Sequence, residues 1–220
     1  MRIPNAPTLS PPLAWARPLT RACALAVAVS LSLTSTAVAG ELETHDGFFA
    51  NASVGFGHTL MTSEPLRIEG DGSLMSLAAG YSVMESLSVY AQLSQTEIFA
   101  PSFRPNGRFD DDDHRISADI SALGVGATFY GVPENLYAGL VLSLARASVR
   151  ERMSDDGGSD TNFRSDLGFG CALTFGREWW IGDEWGLGAA ATVQASRILD
   201  QDRIAWHNGT FGLLFSATWN

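Results

Sequence analysis

At 220 residues, 45% hydrophobic and 17% charged, the chain has room for one domain of ordinary size and a short extension, which excludes a large multidomain machine. A formal charge of −10 and a pI near 4.7 argue against nucleic-acid binding, which needs a basic face to neutralise phosphates. No uninterrupted apolar run reaches the roughly 20 residues of a spanning helix, so strands are the remaining route across a membrane.

Residues 1–39 carry Arg2, Arg17 and Arg21 but no acid, then an apolar stretch from Ala22 to Leu33, then small residues ending in Ala37-Val38-Ala39. A charged start, a short apolar centre and an A-x-A site are the grammar of a secretory signal peptide. Cleavage is expected before Gly40, leaving residues 40–220 as one domain. Of the two cysteines, Cys23 falls in the leader and Cys171 in a strand, so no disulfide is expected.

From Gly47 onward the hydrophobic period is two. Phe48, Ala50, Ala52, Val54 and Phe56 alternate with Phe49, Asn51, Ser53, Gly55 and Gly57, which is strand patterning with one apolar and one small or polar face. The same alternation recurs seven times, giving strands over 47–58, 73–82, 87–96, 120–130, 136–145, 167–176, 185–195 and 209–219. Short connections follow the second, fourth and sixth strands, and long polar ones follow the first, third, fifth and seventh. The expected fold is all-β: an eight-stranded antiparallel up-and-down barrel with one tight end and one elaborated end.

Charge decides which face is inside. The eight segments hold no Asp, Glu, Lys or Arg, whereas a soluble barrel needs charges on its outer face for solubility and edge protection. A closed barrel is also the sheet that pairs all its backbone groups in hydrocarbon. The transmembrane form follows, apolar face outward. Phe48, Tyr81, Phe129, Tyr130, Tyr137, Phe175, Trp179, Trp180, Trp185 and Trp219 gather at the tight-turn end, as an interfacial aromatic girdle does.

On these alternating strands, this turn asymmetry and a final strand ending Thr218-Trp219-Asn220, the chain resembles the small eight-stranded outer-membrane barrels of Gram-negative bacteria, the OmpA membrane-domain, OmpX and OmpW-like group, over residues 40–220. The turn from Gly176 to Gly186 resembles one found in myxobacterial barrels. Such barrels end on the aromatic itself, whereas Asn220 follows Trp219 here. The resemblance implies the cell outer membrane, periplasmic termini and four external loops. It also implies lipid and lipopolysaccharide as surroundings, with periplasmic chaperones and the barrel-assembly machinery as partners in biogenesis. It fixes no activity.

Candidate sites are few. Asp110-Asp111-Asp112-Asp113-His114 and the trio Asp155, Asp156 and Asp160 offer oxygen ligands for Ca²⁺ or Mg²⁺, but match no calcium-loop spacing and read better as solvated loop charge. His58 and His207 lie at the outer ends of the first and eighth strands, which adjoin on closure, without the nucleophile-and-base arrangement of acyl chemistry. His45 and His114 fall outside the strands. Gly186-Leu187-Gly188-Ala189-Ala190-Ala191 fits a nucleotide-binding pattern but opens a strand, not a helix. The sequons at Asn51 and Asn208 are discounted. No catalytic residue, cofactor or metal ligand is assigned.

The inward positions are Gly, Ser, Ala, Thr, Gln and a few Tyr, so either the barrel flattens until Ser and Thr bond across it or a narrow tunnel remains. The expected role is structural or surface interaction through acidic loops. The alternative is a narrow OmpW-like channel for small or apolar solutes.

Overall fold

In a computed structural model, the structure describes residues 47–63, 66–99, 102–105, 115–131, 135–152, 161–200 and 204–220. Among the described residues there are ten strands: β1 (Gly47–Ser63), β2 (Leu66–Met84), β3 (Leu87–Ile98), β4 (Ser102–Pro105), β5 (Arg115–Gly131), β6 (Leu136–Arg152), β7 (Thr161–Arg164), β8 (Gly168–Trp180), β9 (Trp185–Leu199) and β10 (Ala205–Trp219). Eight of them form the wall in the order β1-β2-β3-β5-β6-β8-β9-β10, and β10 pairs antiparallel with β1 to close it. The short β4 and β7 extend the sheet at the long-loop end by pairing with β2 and β6.

The architecture and the eight staves agree with the sequence expectation, but the long connections are shorter than it held. Residues 59–63 and 66–72 are strand, with Ser63 opposite Leu66 at the hairpin tip. Similarly, β6 continues to Arg152 and β9 to Leu199. A tilted segment of about 10 residues crosses hydrocarbon, so β1, with 17, and β2, with 19, rise well past it.

The reason lies in an inversion of the alternation along each stave. In the membrane half, outward positions are apolar and exposed, as with Val54, Phe56, Met75, Leu77, Leu140, Leu142, Leu173 and Phe215. Beyond that band most outward positions turn polar, with His58 and Thr62 on β1, Asp71 and Arg67 on β2, Glu97 on β3, Arg146 on β6 and Arg197 on β9, while Leu60 and Leu199 stay apolar. The inward positions change the other way. Asn51 and Ser53 give way to Met61, Gln92 to Ile98, and Gln194 to Ile198. The strand period persists while its amphipathic sign reverses, as expected where a sheet leaves oil for water.

The tight end is fixed by local chemistry. Asn135 opens β6 with φ of 49°, a left-handed conformation that Asn tolerates better than most residues. Its carbonyl accepts the Glu178 N–H at 3.0 Å. At the chain's end, Trp219 Nε1 donates to Glu184 Oε2 at 3.0 Å and Asn220 N–H to the Glu184 carbonyl. Phe48 packs edge-on to Trp219 across the closing seam, centroids 6.3 Å apart.

Candidate functional site

Two places on a barrel can work, its lumen and its outer face. The lumen here has three levels. At the tight-turn end lies a floor of rings: Phe49 meets Tyr90 edge-on at 5.9 Å, and Tyr130 lies 5.7 Å from Tyr137. Tyr137 shares a hydroxyl hydrogen bond with Ser216 on the opposite wall, and Thr128 donates to Tyr90 at 3.1 Å. Tyr90 crosses directly over Gly126, where an added Cβ would fall 2.6 Å from its ring. Beside these rings Glu178, only 2% exposed, points inward, within electrostatic reach of Tyr130 and Tyr137. Gly186 makes room for its carboxylate, since a Cβ there would meet Oε1 at 2.6 Å.

Above the floor is a cavity of about 70 Å³ with polar walls, among them Asn51, Gln92, Thr174, Thr192 and Gln194. That is space for a few waters and no solute of any size. Above the cavity the lumen is apolar: Met61, Ile68, Ile98, Ala118, Ile120, Ala145, Ala147 and Ile198 form one buried cluster, with Leu66, Val149 and Trp206 packed against it. Removing such side chains from water stabilises by about 1.5–3 kcal/mol for each large one, so the plug is a real core.

Neither of the two expected outcomes for the lumen describes this arrangement. The hydroxyl and amide bonds Thr59–Thr210, Ser82–Ser88, Thr174–Thr192 and Asn51–Thr218 link register neighbours along the wall. The bridge across the barrel comes from a tyrosine draped over small residues. Tyr130 and Tyr137 therefore leave the aromatic girdle assigned from sequence, because strand alternation turns them inward. Phe48, Tyr81, Phe129, Phe175, Trp185 and Trp219 remain exposed on the outer face. Glu178, read from sequence as part of a turn, is on β8. Its signal was the alternation running three residues past Phe175, masked by the charges in Arg177-Glu178.

On the outer face, His58 and His207 both project outward, His58 opposite Phe211 and His207 opposite Thr62. His58 Nδ1 is 2.9 Å from Asp71 Oδ1, but among the described residues no serine or threonine side chain bonds either imidazole. Among those residues the dyad has no bonded hydroxyl of the kind acyl transfer uses. Among the described side chains toward the loop end, the outward acids and most outward arginines of the strands lie on different sides. Glu69, Asp71, Glu97 and Asp119 lie on β2, β3 and β5, with Arg67 donating to Glu69 at 2.9 Å. Arg146, Arg164 and Arg197 lie on β6, β7 and β9, with His207 directly opposite Arg197 on β10.

Asp110, Asp111, Asp112, Asp113, His114, Asp155, Asp156 and Asp160 lie outside the described residues, as do the leader and His45. Among the described residues there is no group of three or more His, Cys, Asp or Glu placed to hold a metal ion. The nucleotide-like run from Gly186 to Ala191 lies within β9. Both sequon asparagines turn inward, Asn51 donating to Thr218 and Asn208 to Ser196.

The closed wall of eight antiparallel staves with an apolar exterior is the fold of the small transmembrane barrels of outer membranes. The chain is similar in fold to the Neisserial surface protein A (TM-score 0.52, 14% identity, covering 80% of this chain and 99% of that one). It also matches the attachment invasion locus protein of Yersinia pestis (TM-score 0.44, 13% identity, 78% and 99%) and OprG of Pseudomonas aeruginosa (TM-score 0.46, 9% identity, 81% and 97%). The sequence matches no protein-family model and no curated protein.

Proposed function

We propose that this protein is exported, loses its leader after Ala39, and resides in the cell outer membrane as a non-catalytic barrel whose role is structural or surface interaction. Its acidic external loops and outer collar then meet lipopolysaccharide or other surfaces, and periplasmic chaperones and the assembly machinery handle it on the way. The observation that carries this reading is the filled lumen. An apolar plug at the loop end and a tyrosine floor at the tight end bracket a cavity of about 70 Å³, so activity has the outer surface left to work with.

A second reading, a narrow channel for small or apolar solutes, draws on the polar walls of that same cavity. Two measurements separate them. Planar-bilayer recording of the refolded protein is expected to be silent, and steady conductance would favour the channel. Trimming residues 99–115 is expected to abolish binding to lipopolysaccharide-coated or cell surfaces while leaving the barrel folded. Unchanged binding would contradict a role for that loop.

A further inference from the structure

The outward charges mark one side of the barrel for a particular ligand. Along one register row, Leu144 of β6, Phe169 of β8, Arg197 of β9 and His207 of β10 are successive partners, so their side chains share the outer face. Phe169 is 77% exposed and Leu144 is exposed beside it, which places Arg197 level with the top of the lipid-facing band. Arg146 follows Leu144 by two residues on the same face. Arg164 follows again, opposite Ser148.

Arg146 and Arg197 are two strand spacings apart laterally, about 10 Å, and staggered axially by about 7 Å. That separation lets two long side chains converge on one group between them, directly above Phe169. Among the described residues none of the three arginines has an ion-pair or hydrogen-bond partner. Of the described acids, Asp119 lies diagonal to Arg146 across the β5–β6 ladder, Asp166 is exposed with its backbone N–H on the Leu199 carbonyl, and Asp200 is buried with its carboxylate capping the Ile204 N–H. The acids Glu97 and Asp119 oppose each other on the far side of Ser148, and Ser148 donates to Asp119 at 2.8 Å.

We propose that Arg146, Arg164 and Arg197 form a seat for the phosphate of an outer-leaflet glycolipid, lipid A, whose acyl chains lie along Phe169, Leu144 and Leu142. The inference rests on the outer-membrane location proposed above. Like-signed groups held side by side at an interface are stabilised by an anion between them, and the guanidinium fork matches a phosphate in two hydrogen bonds. All 14 basic residues of this chain are arginine, so each contact has that geometry available. The adjoining apolar surface supplies what a free inorganic anion would not use.

The test is native mass spectrometry of the refolded mature protein from phosphatidylcholine nanodiscs doped with diphosphoryl lipid A. Wild type is expected to retain lipid A, and Arg146→Gln/Arg197→Gln to retain at least about tenfold less, the loss of two charge-assisted contacts. Arg146→Lys/Arg197→Lys should fall between, and Glu97→Gln/Asp119→Asn should match wild type. Each variant is first checked for folding by its heat-modifiable mobility. If the double Gln variant misfolds, Arg197→Gln alone is read in its place and a smaller loss is expected.

Equal retention by wild type and the Gln variant overturns the proposal. So does equal retention of phosphatidylglycerol in place of lipid A. If the Gln variant leaves retention intact but converts a dimer to a monomer, the patch joins copies of this chain and the proposal fails. In any of these cases surface binding through residues 99–115 would still stand or fall on its own measurement.

Discussion

Met61 and Ile68 face each other across β1 and β2 as register partners, and both side chains are buried inside the barrel, each only 2% exposed. Of their adjacent outward residues, Thr62, Arg67 and Glu69 are polar or charged and Leu60 alone is apolar. The hairpin that carries them is therefore built as a soluble sheet with its apolar face folded over the mouth of the lumen.

Truncating either residue should be costly. Met61→Ala and Ile68→Ala are each expected to destabilise the barrel by about 2–5 kcal/mol, from lost burial and the cavity left behind. Urea titration followed by gel mobility in lipid vesicles reads this. A loss below about 0.5 kcal/mol for both would mean the plug is not a packed core.

The plug should also be the seal. Met61→Ala/Ile68→Ala/Ile98→Ala is expected to convert a silent protein into one that passes ions in planar bilayers, with folding checked by heat-modifiable mobility. Continued silence in the folded triple variant would place the barrier lower, at the tyrosine floor.

At that floor, Gly126 and Tyr90 are coupled. Gly126→Ala drives a methyl into the Tyr90 ring and is expected to cost about 1–3 kcal/mol. In the Tyr90→Ala background the same change should be nearly free, because the group displaced is gone. Additive losses in this double-mutant cycle would show that the ring does not rest on the glycine.

How much of this was legible in the sequence depends on where each residue sits relative to the bilayer. Inside the hydrocarbon, alternation such as Leu167, Phe169, Cys171, Leu173 and Phe175 against Gly168, Gly170, Ala172, Thr174 and Gly176 read directly as strand, because lipid permits one pattern only. Outside it, Asp71, Glu97 and Arg197 looked like the start of loops, since a charge ends a membrane stave. They are in fact outward residues of continuing strands, and the matching signal was the inward run Met61, Ile68, Ile98, Ile198. Tyr130 and Tyr137 were misplaced because an aromatic near a turn looks the same facing lipid or lumen until parity is followed strictly. The arginine face was not legible at all. Arg146, Arg164 and Arg197 are far apart in the chain, and only the register brings them together.

Charge tolerance should follow depth on the outer face. Leu173 on β8 opposes Leu140 on β6 in the middle of the apolar band, and Leu173→Arg is expected to cost about 2–4 kcal/mol, against about 0–1 kcal/mol for Gln95→Arg at the band's outer edge. Equal costs, measured by urea unfolding in vesicles, would mean that the two positions see the same solvent.

The most direct test of the account follows the outer face of β2 through the point where its character reverses. Spin labels placed singly at Leu77, Met75, Ser73 and Asp71, in a Cys171→Ala background reconstituted in lipid vesicles, report relative access to oxygen and to a water-soluble nickel complex. The account predicts oxygen-dominated relaxation at Leu77 and Met75, with a crossover to nickel-dominated relaxation between Met75 and Asp71. Nickel-dominated access at all four positions would contradict it, since the apolar face would then not be in the membrane.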